Sequence, residues 1–136
     1  MSSLTALVPN QLVGGQFRIV RPLGTGGMGI VYVAEQLSTG RLRALKVMRA
    51  QEPDADASRR FQREARVGAL VQSEHIVDVI DAGIDEGSGS PWIAMELLEG
   101  LELGQYLERN GPLSLERAGE VLRQLCAGLG AAHDNG

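Results

Sequence analysis

The run Gly24-Thr25-Gly26-Gly27-Met28-Gly29 leads directly into Ile30-Val31-Tyr32-Val33-Ala34-Glu35, and this junction limits the possible folds more than any other stretch of the chain. Ile30, Tyr32 and Ala34 alternate with Val31, Val33 and Glu35, the period of a strand with two unlike faces. Phe17 to Leu23 (FRIVRPL) reads as a strand as well, so the glycines lie in a turn between two strands. A dinucleotide-binding loop instead opens a helix after its glycines, so that the helix N-terminus meets the pyrophosphate. A Walker-type loop ends in Gly-Lys-Ser or Gly-Lys-Thr, which does not occur in this sequence. Taken alone, the glycines suit an ordinary hairpin turn equally well.

Lys46 adds a second constraint. The chain has thirteen basic residues, and this is the one lysine. Its compact ammonium on a flexible stem suits phosphate oxygens, whereas a planar guanidinium is directed differently. Gly24, Gly26, Gly29 and Val31 fill the pattern G-x-G-x-x-G-x-V, and Ala44-Leu45-Lys46 ends fifteen residues after the valine.

On these residues the chain resembles the protein kinase family from about Phe17 to its last residue, and Met28 in the GGMG sequence resembles bacterial serine/threonine members. The fold class implied is α+β, a kinase-like N-lobe of five antiparallel strands plus the family's C helix, then a hinge and the first C-lobe helices. Residues 1–15 are expected to be a flexible leader, 16–97 the ATP-binding N-lobe, and 98–136 the hinge with the D and E helices of an incomplete C-lobe.

The residues between the motifs fit that plan. Ser38 to Arg41 makes a turn with Gly40 free to adopt positive φ, and Leu42 to Met48 reads as a third strand. Ser58 or Asp56 is placed to cap a helix running to about Gln72, on which Phe61, Glu64, Ala65 and Gly68 share a face. His75 to Gly83 and Pro91 to Leu97 read as two more strands. A short helix over 101–110 follows. Ser114 then caps a long helix reaching about Asp134, with an apolar stripe of Ala118, Val121, Leu122, Leu125, Cys126, Leu129 and Ala132.

The resemblance also implies roles. The backbone N–H groups of the loop from Thr25 through Gly26, Gly27 and Met28 to Gly29 would lie over the phosphates of ATP, with Gly24 and Ile30 also among the nucleotide-binding residues. Lys46 would bridge the α- and β-phosphates, and Glu64 would hold it in place. The other reading of Glu64 is one more surface charge on an arginine-rich helix; its place eighteen residues after Lys46 and its helix face favour the lysine. Leu23, Val31 and Ala44 would line the purine slot, Met95 would close its back, and the backbone of Glu96 and Leu98 would bond the adenine edge. Those six residues suit a plain core or hinge as well. Glu99 or Glu102 would reach the ribose, although solvated helix-end carboxylates explain them better.

The implied activity is transfer of the ATP γ-phosphoryl group to protein Ser/Thr hydroxyls, with Mg²⁺ as the accompanying metal. The His-Arg-Asp base and the asparagine and Asp-Phe-Gly aspartate that hold Mg²⁺ do not occur in these residues, so the 136 residues alone are expected to be inactive and to form part of a longer kinase. The alternative is a non-catalytic nucleotide-binding or scaffold module.

Composition narrows the partners. A net charge of −4 argues against nucleic acid, and Arg59, Arg60, Arg63 and Arg66 read as the solvated face of one helix. His75 and His133 have no further ligand types at metal-like spacing, so no metal site is expected within the chain. Lone Cys126 cannot form an internal disulfide, reads as an inert core residue, and points to a reducing, cytoplasmic setting. No signal peptide or membrane span is read here, while a downstream anchor stays open.

Overall fold

A computed structural model describes residues 6–25, 29–48 and 55–135, with the side chains of 55, 57 and 58 left aside. The elements are β1 (Leu12–Val13), β2 (Phe17–Thr25), β3 (Gly29–Gln36), β4 (Arg41–Met48), α1 (Ala55–Leu70), β5 (Val79–Ile84), β6 (Pro91–Glu96), α2 (Leu103–Asn110) and α3 (Leu115–Asp134). They form one antiparallel sheet in the order β1-β2-β3-β4-β6-β5.

The five expected strands are present, and the segment expected to be a flexible leader supplies a sixth. Leu12 and Val13 pair with Arg18 and Phe17. The Leu7 N–H donates to the Tyr32 hydroxyl at 3.0 Å, and the Gly14 N–H donates to Asp85 Oδ1 at 2.9 Å. Gly14 has φ +59°, and a Cβ there would lie 2.7 Å from the Trp92 indole nitrogen. A Cβ at Gly83 would meet the other side of that ring, also at 2.7 Å. Trp92 is thus held between two glycine backbones, one of them from the leader.

Other boundaries shift by a few residues. The helix expected to start after Ser58 or Asp56 is already helical at Ala55, and it ends at Leu70 rather than Gln72. The strand expected from His75 starts at Val79, because Ser73 and His75 are occupied in a turn. There the Ser73 hydroxyl accepts from the His75 N–H at 3.2 Å. Gly40 takes φ +68°, as the turn requires, and its N–H donates to the Gln36 carbonyl at 2.8 Å. Ser114 caps α3 by accepting from the Arg117 N–H at 3.2 Å.

Strand alternation sorts the apolar side chains onto two faces. On one face Val13, Phe17, Ile19, Tyr32, Ala34, Leu45, Val47, Trp92 and Ala94 form a core, with Phe17 and Trp92 edge to face at 5.2 Å. On the other, Met48 and Ile93 pack against Phe61 of α1, flanked by Ala65, Val79 and Met95. Among the described residues, every buried apolar side chain lies before Glu96.

In α3 only Gly128 is buried, lying against the His75 carbonyl and Ile76. Leu122, Leu125 and Leu129 are exposed. Cys126 is exposed too, which corrects its expected place in a core: the stripe exists, but none of its residues is fully buried. No helix of the described residues is long and apolar enough to cross a membrane.

Candidate functional site

The site is built on the face that carries α1. On β4, Ala44, Lys46 and Met48 point the same way, because side chains two apart share a face. Lys46 stands opposite Val31 of β3 and Ile93 of β6, and Ala44 stands opposite Val33 and Met95. The lysine therefore rises from an apolar floor directly beside the strand that follows the glycine turn.

Glu64 reaches it from α1. The Lys46 ammonium donates to both carboxylate oxygens, at 2.8 Å to Oε1 and 2.9 Å to Oε2. The lysine side chain is 16% exposed and the glutamate 39%, so the ammonium is shielded while its partner keeps contact with solvent. Charge-assisted bonds of this length fix the direction of both groups. A lysine held this way presents its charge at a set point over the sheet, where a polyanion can meet it.

The glycine run divides into two parts. Gly26, Gly27 and Met28 lie outside the described residues. Gly24 and Thr25 end β2, and a Cβ at Gly24 would meet nothing within 4 Å. Gly29 is different: a Cβ there would overlap the Val47 carbonyl oxygen and come within 3.0 Å of its carbon. The third glycine is thus required by the close approach of β3 to β4, before any ligand is considered.

The remaining candidates distribute unevenly. Val31, Ala44 and Met95 share the lysine's face and are partly or fully buried. Leu23 is 48% exposed at an irregularity of β2, and Leu98 is 66% exposed beyond β6. Ile30, expected at the nucleotide, turns its side chain to the opposite core, leaving its main chain alone on the site side. The Glu96 N–H is taken by the Asp78 carbonyl at 3.0 Å, and the Glu96 carboxylate accepts from the Asp78 N–H at 2.9 Å. The Glu96 N–H is therefore not available to a ligand. Glu99 and Glu102 are exposed.

Val33 and Ile93 also floor this face and were not singled out in the sequence. The two-residue period of their strands was the available signal. Among the described residues no three His, Cys, Asp or Glu side chains gather into a metal-binding group. Arg59, Arg60, Arg63 and Arg66 are exposed.

An antiparallel sheet with a strand lysine braced by a helix carboxylate has the arrangement of a protein kinase N-lobe. Comparison with known proteins agrees. The description of the protein kinase domain matches residues 17–136, and the chain belongs to that family. It is 42% identical over 132 residues to the serine/threonine-protein kinase pkn2 of Myxococcus xanthus, covering 96% of this chain and 16% of that protein. It is 41% identical to PknE of Mycobacterium bovis, covering 90% of this chain and 21% of that one. The crystal structure of the Mycobacterium tuberculosis PknI kinase domain superposes with a TM-score of 0.81 at 32% identity, over 97% of this chain and 54% of that domain. The chain thus corresponds to the N-terminal part of a bacterial-type serine/threonine kinase domain and spans only a fraction of its relatives' length.

Proposed function

We propose that this chain is the ATP-binding portion of a protein serine/threonine kinase that transfers the γ-phosphoryl group of ATP to protein hydroxyls. Residues 16–97 act as the nucleotide lobe, and 98–136 act as the hinge and first helices of a second lobe. The observation that carries the reading is the two-oxygen grip of Glu64 on Lys46, which orients the ammonium before any nucleotide arrives. Phosphoryl transfer asks a protein mainly for positioning and electrostatic stabilisation, and this pair supplies both at one point.

The residues present suit ATP. In this reading Lys46 would meet the α- and β-phosphates, and the open space beside Gly24 would admit them. Val31, Ala44 and Met95 provide apolar walls for the purine, with the Glu96 carbonyl and Leu98 backbone at its edge. ATP when bound would supply the phosphoryl group, and Mg²⁺ would offset its charge. Partners are therefore ATP and a protein substrate. The unpaired Cys126 supports a cytoplasmic setting.

The test is nucleotide affinity. Lys46→Met is expected to weaken MgATP binding by the chain more than about tenfold, the scale of a lost charge-assisted contact, with helix content unchanged. Equal affinity in the variant would remove Lys46 from the phosphate site. The 136 residues alone are expected to show no phosphate transfer to a generic protein substrate, and transfer that survives repurification would overturn the division of labour proposed here.

A further inference from the structure

We infer that Gly68 is a positioning residue: its missing side chain sets how closely α1 lies on the sheet, and so holds Glu64 against Lys46. The geometry stands by itself, and only its catalytic consequence rests on the reading of Lys46 as the phosphate ligand.

Glu64 and Gly68 lie one turn apart on the same face of α1. A Cβ on Gly68 would overlap Cγ2 of Val79 and come within 3.2 Å of its Cβ. Val79 cannot yield easily. Its β-branched side chain is stiff at χ1, and its strand is held in register with Met95 of β6. The displacement therefore falls on the helix.

One turn before Glu64, Phe61 is clamped between Met48 and Ile93. Bulk added at Gly68 tilts α1 about that clamp and carries Glu64 outward, while Lys46 stays with β4. Contacts of 2.8 and 2.9 Å have little slack, and a shift of about 1 Å takes them out of hydrogen-bond range. Glycine is also a poorer helix former than alanine, which already occupies positions 65 and 69 of the same helix. Local preference favours alanine at 68; the tertiary contact forbids it.

Because Lys46 is the one lysine of the chain, its side-chain amine can be followed alone, as the rate at which a water-soluble acetylating ester modifies the Lys46 peptide. Gly68→Ala is expected to raise that rate about fivefold, the scale of coupling between residues in contact. Val79→Ala alone should leave it near the starting value, and Gly68→Ala with Val79→Ala should bring it back. Helical ellipticity should not fall, since alanine favours the helix. An unchanged rate in Gly68→Ala, a double variant as reactive as the single one, or a loss of helix would each overturn the assignment. Protection of Lys46 by ATP in the unsubstituted chain is read separately: its absence refutes the nucleotide reading, while the variant series still decides the role of Gly68.

Discussion

On one face of the sheet Phe17, Tyr32 and Trp92 are buried among aliphatic residues drawn from β1 to β4 and β6, with the N-terminal segment laid across them. On the other, Met48, Phe61 and Ile93 make a smaller cluster, and beside it an ammonium and a carboxylate meet with the carboxylate partly in solvent. The first face repays burial with stability. The second gives up apolar area to keep a charge at a set place, which weakens folding and suits the phosphate role proposed for Lys46. The same strands serve both, since alternate residues of β3, β4 and β6 look in opposite directions.

The contrast breaks first at the large core. Phe17→Ala is expected to cost about 3–5 kcal/mol in a denaturant melt, and a melt barely displaced would mean that the aromatic face is not the main support. Gly29→Ala sharpens the comparison, because the glycine belongs to the nucleotide motif yet is crowded by Val47. A loss of about 1–3 kcal/mol with no nucleotide present would show the sheet's own demand for it; an unchanged melt would return Gly29 to the ligand alone. Lys46→Met lies at the opposite pole, with a stability change of about 1 kcal/mol or less for a pair open to solvent on one side. A larger loss would make the pair a structural brace.

The smallest effect concerns the clasp between the leader and the β5–β6 turn. The Ser88 hydroxyl, then the Gly14 N–H, hold the Asp85 carboxyl below its ordinary value; burial opposes them less strongly, and the Ser88 N–H adds a smaller lowering. A folded value below the unfolded one means that the contribution is present above the unfolded pKa, about 3.9, and fades as pH falls through the folded one. Asp85→Asn should therefore lower the melting temperature slightly at pH 7 and hardly at all near pH 2. An equal loss at both pH values would separate the clasp from the charge of Asp85.

Much of the site was legible before any fold. The eighteen-residue interval from Lys46 to Glu64, with Phe61, Glu64, Ala65 and Gly68 on one helix face, anticipated the ion pair. The course of 12–15 was not, because Leu12 and Val13 are too short a run to carry a strand pattern, and the Gly14-Gly15 pair reads as flexibility until Trp92 fills the space against it. The exposure of Cys126 escaped for a related reason: a helical stripe tells which residues would be buried together, not whether another element covers them.

The amino-acid order by itself determined the strand-turn-strand at the glycines, the spacing of the cation and its carboxylate, and the helical character of 103–134, since these depend on local period and turn chemistry. Tertiary structure alone decided that Gly29 yields to a neighbouring carbonyl, that Gly68 yields to Val79, that Ile30 faces away from the lysine, and that the leader closes over Trp92. Each of those is a contact between residues distant in the chain or on a chosen face of the sheet, and close packing leaves no room for a methyl group there.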